Sequence, residues 1–164
     1  MKKFILAAII ALLIVGGLFA ENKKAPDFEL ENYKGKKVKL SDYKDSLVLL
    51  DFWATWCVPC KKEMVHLDKI QKKYGDKIKV LCVSIDKPRH KSKAISYVKS
   101  KRYKFMTLLD PDQKVKRLYN VDNPPRTVLI APGGKIIWSH TGFTRGDEKH
   151  IEEEIEKYLK TKGE

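Results

Sequence analysis

The chain has 164 residues, enough for one ordinary domain with its own core and too few for two comfortable ones. Hydrophobic residues make up 43% and charged residues 34%, with 9 Gly and 7 Pro, which excludes a disordered or collagenous chain. The formal charge of +13 raises nucleic acid, anionic membrane and acidic proteins as candidate partners. The amino terminus narrows that choice. After Lys2 and Lys3, residues 4–20 (FILAAIIALLIVGGLFA) carry no charge, hydroxyl or amide, as in a segment that enters a membrane. Two readings stand. At about the minimum of 17 residues for a spanning helix, the run is just long enough to stay as an anchor. A cleaved signal wants small residues at the last and third-last positions before the cut, where Ala20 fits and Leu18 does not. Both readings export the rest, to the periplasm or cell exterior, and remove nucleic acid as a partner. Residues 1–24 are then signal or inner-membrane anchor plus a short link, and residues 25–164 the folded domain. The excess charge reads as solubility with a bias toward acidic partners or lipid headgroups.

From Ala25 onward strands and helices alternate. Val38 and Leu40 interleave with Lys37 and Lys39, which predicts a hairpin with Phe28 and Leu30. Residues 47–53 (LVLLDFW) form a nearly continuous apolar run, the mark of a strand buried on both faces, in which Asp51 is conspicuous. From Pro59 to Tyr74, Met64, Leu67, Ile70 and Tyr74 recur at helical spacing, and Lys61, Lys62, Asp68, Lys69, Lys72 and Lys73 fill the other face up to Gly75. A second apolar strand over 78–85 follows, then a helix with Ala94, Ile95 and Val98 inward, so a β-α-β crossover is implied. A short strand at 105–109, a turn at 110–112, a brief helix at 115–119 and a hairpin over 127–139 lead to a C-terminal helix from about Asp147. In that helix Glu153 with Lys157, and Glu156 with Lys160, are spaced for i,i+4 pairs. The fold class is α/β, with helices flanking a central mixed sheet.

The chemistry sits at Cys57-Val58-Pro59-Cys60. Three cysteines allow one pair and one left over, and these two stand where a buried strand hands over to a helix. Cys57 falls at the helix N-terminus, where free backbone N–H groups and the macrodipole stabilise a thiolate, so it is the predicted nucleophile. Cys60, one turn in and more covered, is placed to resolve a mixed disulfide. Pro59 suits the first turn, which does not need its N–H. Half of a zinc site is the competing reading, but only Cys82 and the scattered His66, His90, His140 and His150 offer further ligands. A static disulfide would close too short a loop to stabilise much. No metal and no cofactor is expected.

Asp51-Phe52-Trp53-Ala54-Thr55-Trp56-Cys57-Val58-Pro59-Cys60 resembles the active-site segment of thioredoxin-like proteins. Ala25-Pro26-Asp27-Phe28 and Cys60-Lys61-Lys62-Glu63 point to the exported TlpA/ResA-like branch. The resemblance covers nearly everything from Ala25 onward. It implies a thioredoxin-like fold with an N-terminal β-hairpin, and a thiol–disulfide oxidoreductase that reduces disulfides of exported proteins, commonly in cytochrome c maturation. Its partners would be exported protein thiols and disulfides, with a membrane electron donor or thioredoxin-like reductant to recharge it, and the membrane itself if the anchor stays.

Residues 121–130 (VDNPPRTVLI) are similar to the loop that carries a cis-proline facing the cysteines; Pro125 takes that place and exposes the backbone of Pro124 to a substrate. A second proline in the family's loop is a departure, because Pro124 offers no N–H. An ordinary stiff turn is the competing reading. Asp51 matches the buried acid of thioredoxins, and such an acid needs either a raised pKa or a partner; its expected role is to take and return the Cys60 proton. Glu63 corresponds to the acid that the branch places beside its cysteines, where it would oppose thiolate formation; the alternative is a plain surface Glu in a first helical turn. Val65 stands where the branch often has Pro. Trp56 forms part of the contact surface, with Trp53 and Phe52 as hydrophobic flank. Cys82 is expected as a buried filler rather than a redox partner. Four functions compete. A peroxiredoxin-type peroxidase shares the fold, but Ala54 replaces its Thr or Ser. An oxidase or isomerase would reverse the electron flow, which the absence of a cation in Val58-Pro59 disfavours. A binding module with a structural disulfide is the non-enzyme reading. The basic segment Arg89-His90-Lys91, with Lys93, Lys99, Lys101, Arg102 and Lys104, is either a solvated helix face or a dock for an acidic partner.

Overall fold

The computed structural model describes residues 23–162, so the apolar run at 4–20 lies outside the described residues. Among the described residues no helix is long and apolar enough to cross a membrane. Seven strands form one mixed sheet: β1 (Glu29–Asn32), β2 (Lys37–Lys39), β3 (Leu47–Trp53), β4 (Ile78–Ser84), β5 (Met106–Leu109), β6 (Arg126–Ala131) and β7 (Lys135–Thr141), in the spatial order β2-β1-β5-β4-β3-β6-β7. β3, β4 and β5 run parallel; β1, β6 and β7 join antiparallel to their neighbours. Every residue of β3 is buried, as its apolar run requires of a central strand covered on both faces.

Four helices complete the fold: α1 (Val58–Tyr74), α2 (Lys91–Lys101), α3 (Lys114–Leu118) and α4 (Asp147–Lys162). The crossovers β3-α1-β4 and β4-α2-β5 step in the same direction across the sheet, so right-handedness puts α1 and α2 on one face. The C-terminal helix α4 joins them there, with Lys73 of α1 paired to Glu152 and Glu156 and the Tyr74 hydroxyl donating to Glu156 at 3.0 Å. Those contacts replace the expected i,i+4 ladder of α4. Glu156 faces α1 instead of Lys160, Glu153 meets His150, and Lys157 approaches Glu154 at 3.9 Å. On the other face Phe52 packs against Tyr119, which also meets Phe28 edge-on. The hairpin register Leu30↔Val38 follows the alternation in the sequence. α1 ends at Gly75, whose φ of 56° is open to glycine at little cost. All buried apolar side chains of the described residues lie between Ala25 and Ile155.

Two polar residues of α1 differ from the expected solvated face. Asp68 is 8% exposed, because its carboxylate accepts the backbone N–H of Lys104 at 2.7 Å and pairs with Lys72. Glu63 is fully buried.

Candidate active site

β3 delivers the chain to one pole of the sheet, where residues 54–56 turn into α1. Cys57 caps that helix in an extended conformation (φ −87°, ψ 105°), with Pro59 in the first turn. Its N–H donates to the Ala54 carbonyl at 3.0 Å, and the Cys60 N–H donates to Cys57 Sγ at 3.2 Å. The two sulfurs are joined as a disulfide with Cα atoms 5.4 Å apart. Cys57 is 4% exposed and Cys60 fully buried, in the order expected of an attacking and a resolving sulfur. Trp56 and Val58 beside them are 64% and 62% exposed, an apolar surface open to a partner.

A second loop faces the disulfide. The Pro124–Pro125 peptide bond is cis, as the resemblance implied for Pro125. The Pro124 carbonyl oxygen lies 3.5 Å from Cys57 Sγ. This is a contact and not a hydrogen bond, since a disulfide sulfur carries no proton.

Beneath the cysteines lies a row of polar side chains inside the core. The registers align the buried Thr107, Cys82, Asp51 and Thr127 side by side across four strands, with the half-exposed His140 of β7 at the end of the row. Asp51 is fully buried and neither carboxyl oxygen has a hydrogen-bond partner. Burial first, and then the charge of Glu63, hold its pKa well above the ordinary carboxyl range. Glu63 accepts the Thr127 hydroxyl on Oε1 at 2.6 Å, and its Oε2 has no partner. Burial pushes its carboxyl up to about 7, with the Thr127 hydrogen bond pulling it down and Asp147 adding to the rise. The surface reading of Glu63 is thereby overturned. Its position shares one stripe with Leu67 and Ile70, which carries it into the interior. Cys82 is a free, buried thiol next to Asp51, and burial followed by the Asp51 charge pushes its pKa far up, away from any thiolate.

Two site residues, Asp86 and Thr127, were given no role from the sequence. Asp86 accepts the Thr55 N–H at 2.9 Å, the Thr55 hydroxyl at 2.7 Å and the Ser84 hydroxyl at 2.9 Å, and so fastens the cysteine-bearing turn to the end of β4. Thr127 orients Glu63. The available signal was a run of Ser, Thr and Asp at strand ends, polar groups whose burial demands partners. Among the described residues no cluster of three or more His, Cys, Asp or Glu could hold a metal ion. A cleft of about 350 Å³ lies at the far pole, between Leu40, Tyr43, Val48 and Ile130, away from the sulfurs.

Known proteins share this arrangement. The AhpC/TSA family matches residues 22–139. Thiol-disulfide oxidoreductase ResA of Bacillus thuringiensis (strain Al Hakam) is 31% identical over 163 residues, covering 95% of this chain and 90% of its own. A solved structure assigned as a thiol:disulfide interchange protein DsbE, from Chlorobium tepidum, superposes with a TM-score of 0.76 at 36% identity, over 82% of this chain and 94% of that one. The pneumococcal exposed lipoprotein thioredoxin of Streptococcus pneumoniae superposes with a TM-score of 0.69 at 34% identity, over 80% and 99%. With a thioredoxin-like sheet, a Cys57–Cys60 pair at the start of α1 and these relatives over most of its length, the chain belongs to the AhpC/TSA family and is a thiol–disulfide oxidoreductase of the ResA/DsbE type.

Proposed function

We propose that residues 25–164 work outside the cytoplasm as a reductant of disulfides in exported proteins, cytochrome c maturation being the fitting pathway, with residues 1–24 as signal or anchor. The name of the exposed pneumococcal lipoprotein and the apolar run at 4–20 support the location. In the reduced protein the Cys57 thiolate attacks a partner's disulfide, forming a mixed disulfide and expelling one partner thiolate. Cys60, deprotonated by Asp51, then attacks Cys57 Sγ; the partner leaves as a dithiol and the Cys57–Cys60 disulfide closes. Asp51 carries two unpartnered carboxyl oxygens in the core, and Glu63 is the second store for the same proton. Trp56 and the Pro124–Pro125 backbone form the contact surface, and Pro124 offers a carbonyl acceptor but no donor. A membrane electron donor or a thioredoxin-like reductant restores the dithiol.

One observation carries the direction of electron flow. The helix N-terminus favours a Cys57 thiolate, but two buried carboxyls lie beneath it and Val58-Pro59 supplies no cation. A strong oxidant needs an unusually stable thiolate, and these carboxyls oppose one. The peroxidase reading is weakened at Ala54, whose carbonyl caps Cys57 while its side chain offers no hydroxyl to a peroxide. The test is the reduction potential in thiol redox buffers, read by fluorescence of Trp53 and Trp56. A value at or below about −220 mV supports the reductant, and one above about −150 mV makes the chain an oxidase or isomerase. In stopped-flow exchange, Asp51→Asn is expected to slow resolution and change its pH profile; an unaltered profile removes Asp51 as the base.

A further inference from the structure

The three parallel strands begin at the pole opposite the cysteines, and an exposed lysine precedes each: Lys44 before β3, Lys77 before β4 and Lys104 before β5. The turn between β6 and β7 at that pole adds Lys135 at the start of β7, where Lys24 is bridged to Lys135. None of the five takes part in an ion pair among the described residues. The exposed acids there are Asp27 and Asp42, whose carboxylates accept the backbone N–H groups of Phe28, Ser41 and Lys39, together with Asp45 and with Asp76, which pairs with Lys79. Basic residues in the last turns of α1 and α2 follow from the helix dipole. Lys77 closes the short 3-10 turn that follows α1 and Lys44 caps the one at Leu40–Tyr43, but no such cause applies to Lys24, Lys104 and Lys135, which stand at strand ends, whose net dipole is small.

We propose that this pole docks on an anionic lipid surface, so that the disulfide points away from the membrane. Two features favour lipid over an acidic protein. All five of these cations are lysine, a hydrated point charge, whereas recognition of a fixed carboxylate geometry favours the bidentate fork of arginine. The 350 Å³ cleft also opens here, with an apolar floor of Leu40, Tyr43, Val48 and Ile130 and with Lys24, Lys44 and one acid, Asp27, on its lining. Lysines around an apolar recess match headgroups above acyl chains. The surface belongs to the folded domain and needs no anchor, and it is independent of the direction of electron flow.

The test uses residues 23–164, which hold every core side chain named above, in sedimentation with vesicles. Binding is expected to phosphatidylcholine vesicles containing about one-third phosphatidylglycerol, with none to pure phosphatidylcholine and marked weakening at about 0.5 M salt. Replacing Lys44, Lys77 and Lys104 together by Gln is expected to weaken binding about a hundredfold, near fivefold for each charge. The same exchange at the cysteine pole, at Lys87, Lys93 and Lys114, is expected to change it little. Equal losses from the two triple variants, equal binding to both vesicle types, or no binding would overturn the inference. Disulfide reduction by both variants in solution stays unchanged, which separates this outcome from a failure of the reductase reading.

Discussion

Successive residues of β3 point to opposite faces of the sheet, and the two faces have opposite chemistry. Val48, Leu50 and Phe52 look toward the hairpin and α3, where Phe52, Tyr119 and Phe28 form an aromatic cluster with its one polar atom satisfied: the Tyr119 hydroxyl donates to the Pro26 carbonyl at 2.7 Å. Leu49, Asp51 and Trp53 look toward α1, where Asp51, Glu63, Thr127 and Cys82 share the space below the cysteines. Shape complementarity and apolar burial hold the first face together. The second tolerates two carboxyls with three unpartnered oxygens between them, a cost that a purely structural core would avoid. Apolar packing is concentrated on one side of the strand and buried carboxyls on the other.

The comparison yields graded expectations. Phe52→Ala should cost the most stability, about 3–5 kcal/mol in denaturant melts, because it empties a fully buried site on the apolar face. The pH profile of Cys57 alkylation, measured where the variant remains folded, should not move; a shift would show that the two faces are not separable. A pH-dependent term of about 3 kcal/mol belongs to Glu63, whose carboxyl titrates near 4.5 in an open chain and at about 7 in the fold. Between those values the folded state binds the extra proton. The stability is therefore complete below about pH 4.5 and is lost as pH rises through about 7. Glu63→Gln should flatten that decline in thermal melts, and an equally steep curve would remove the buried carboxyl as its source. The smallest effect is expected from Thr127→Val, about 1–2 kcal/mol through the lost hydrogen bond. Since that bond lowers the Glu63 pKa, carboxyl titration by NMR should move further up in this variant.

Much of this was legible in the sequence, for physical reasons that differ by element. The apolar run 47–53 matched β3 residue for residue, because a strand covered on both faces leaves no freedom in polarity. The end of α1 at Gly75 and the pairing of Leu30 with Val38 followed from a positive-φ stop and from alternation. The Cys57–Cys60 pair, its place at a helix N-terminus and the cis peptide before Pro125 also match. Glu63 and Asp68 were harder to place, since helical periodicity marks a face but cannot say which polar group finds a partner there. Asp68 finds the Lys104 amide and Glu63 finds Thr127, both remote in sequence. The same holds for Glu156, whose partner comes from α1 and not from its own helix. The lysines at the far pole were visible as charge and not as a surface, because only strand direction and register bring Lys44, Lys77, Lys104 and Lys135 to one end.

The most direct test is the reactivity of Cys57 toward iodoacetamide in the reduced protein, followed against pH in the wild type and in the double variant Asp51→Asn, Glu63→Gln. Buried carboxyls that oppose thiolate formation require the alkylation midpoint to fall to lower pH when both are neutralised. Superimposable profiles for the two proteins would contradict the account, leaving the acids beneath α1 without a part in the chemistry of the cysteines above them.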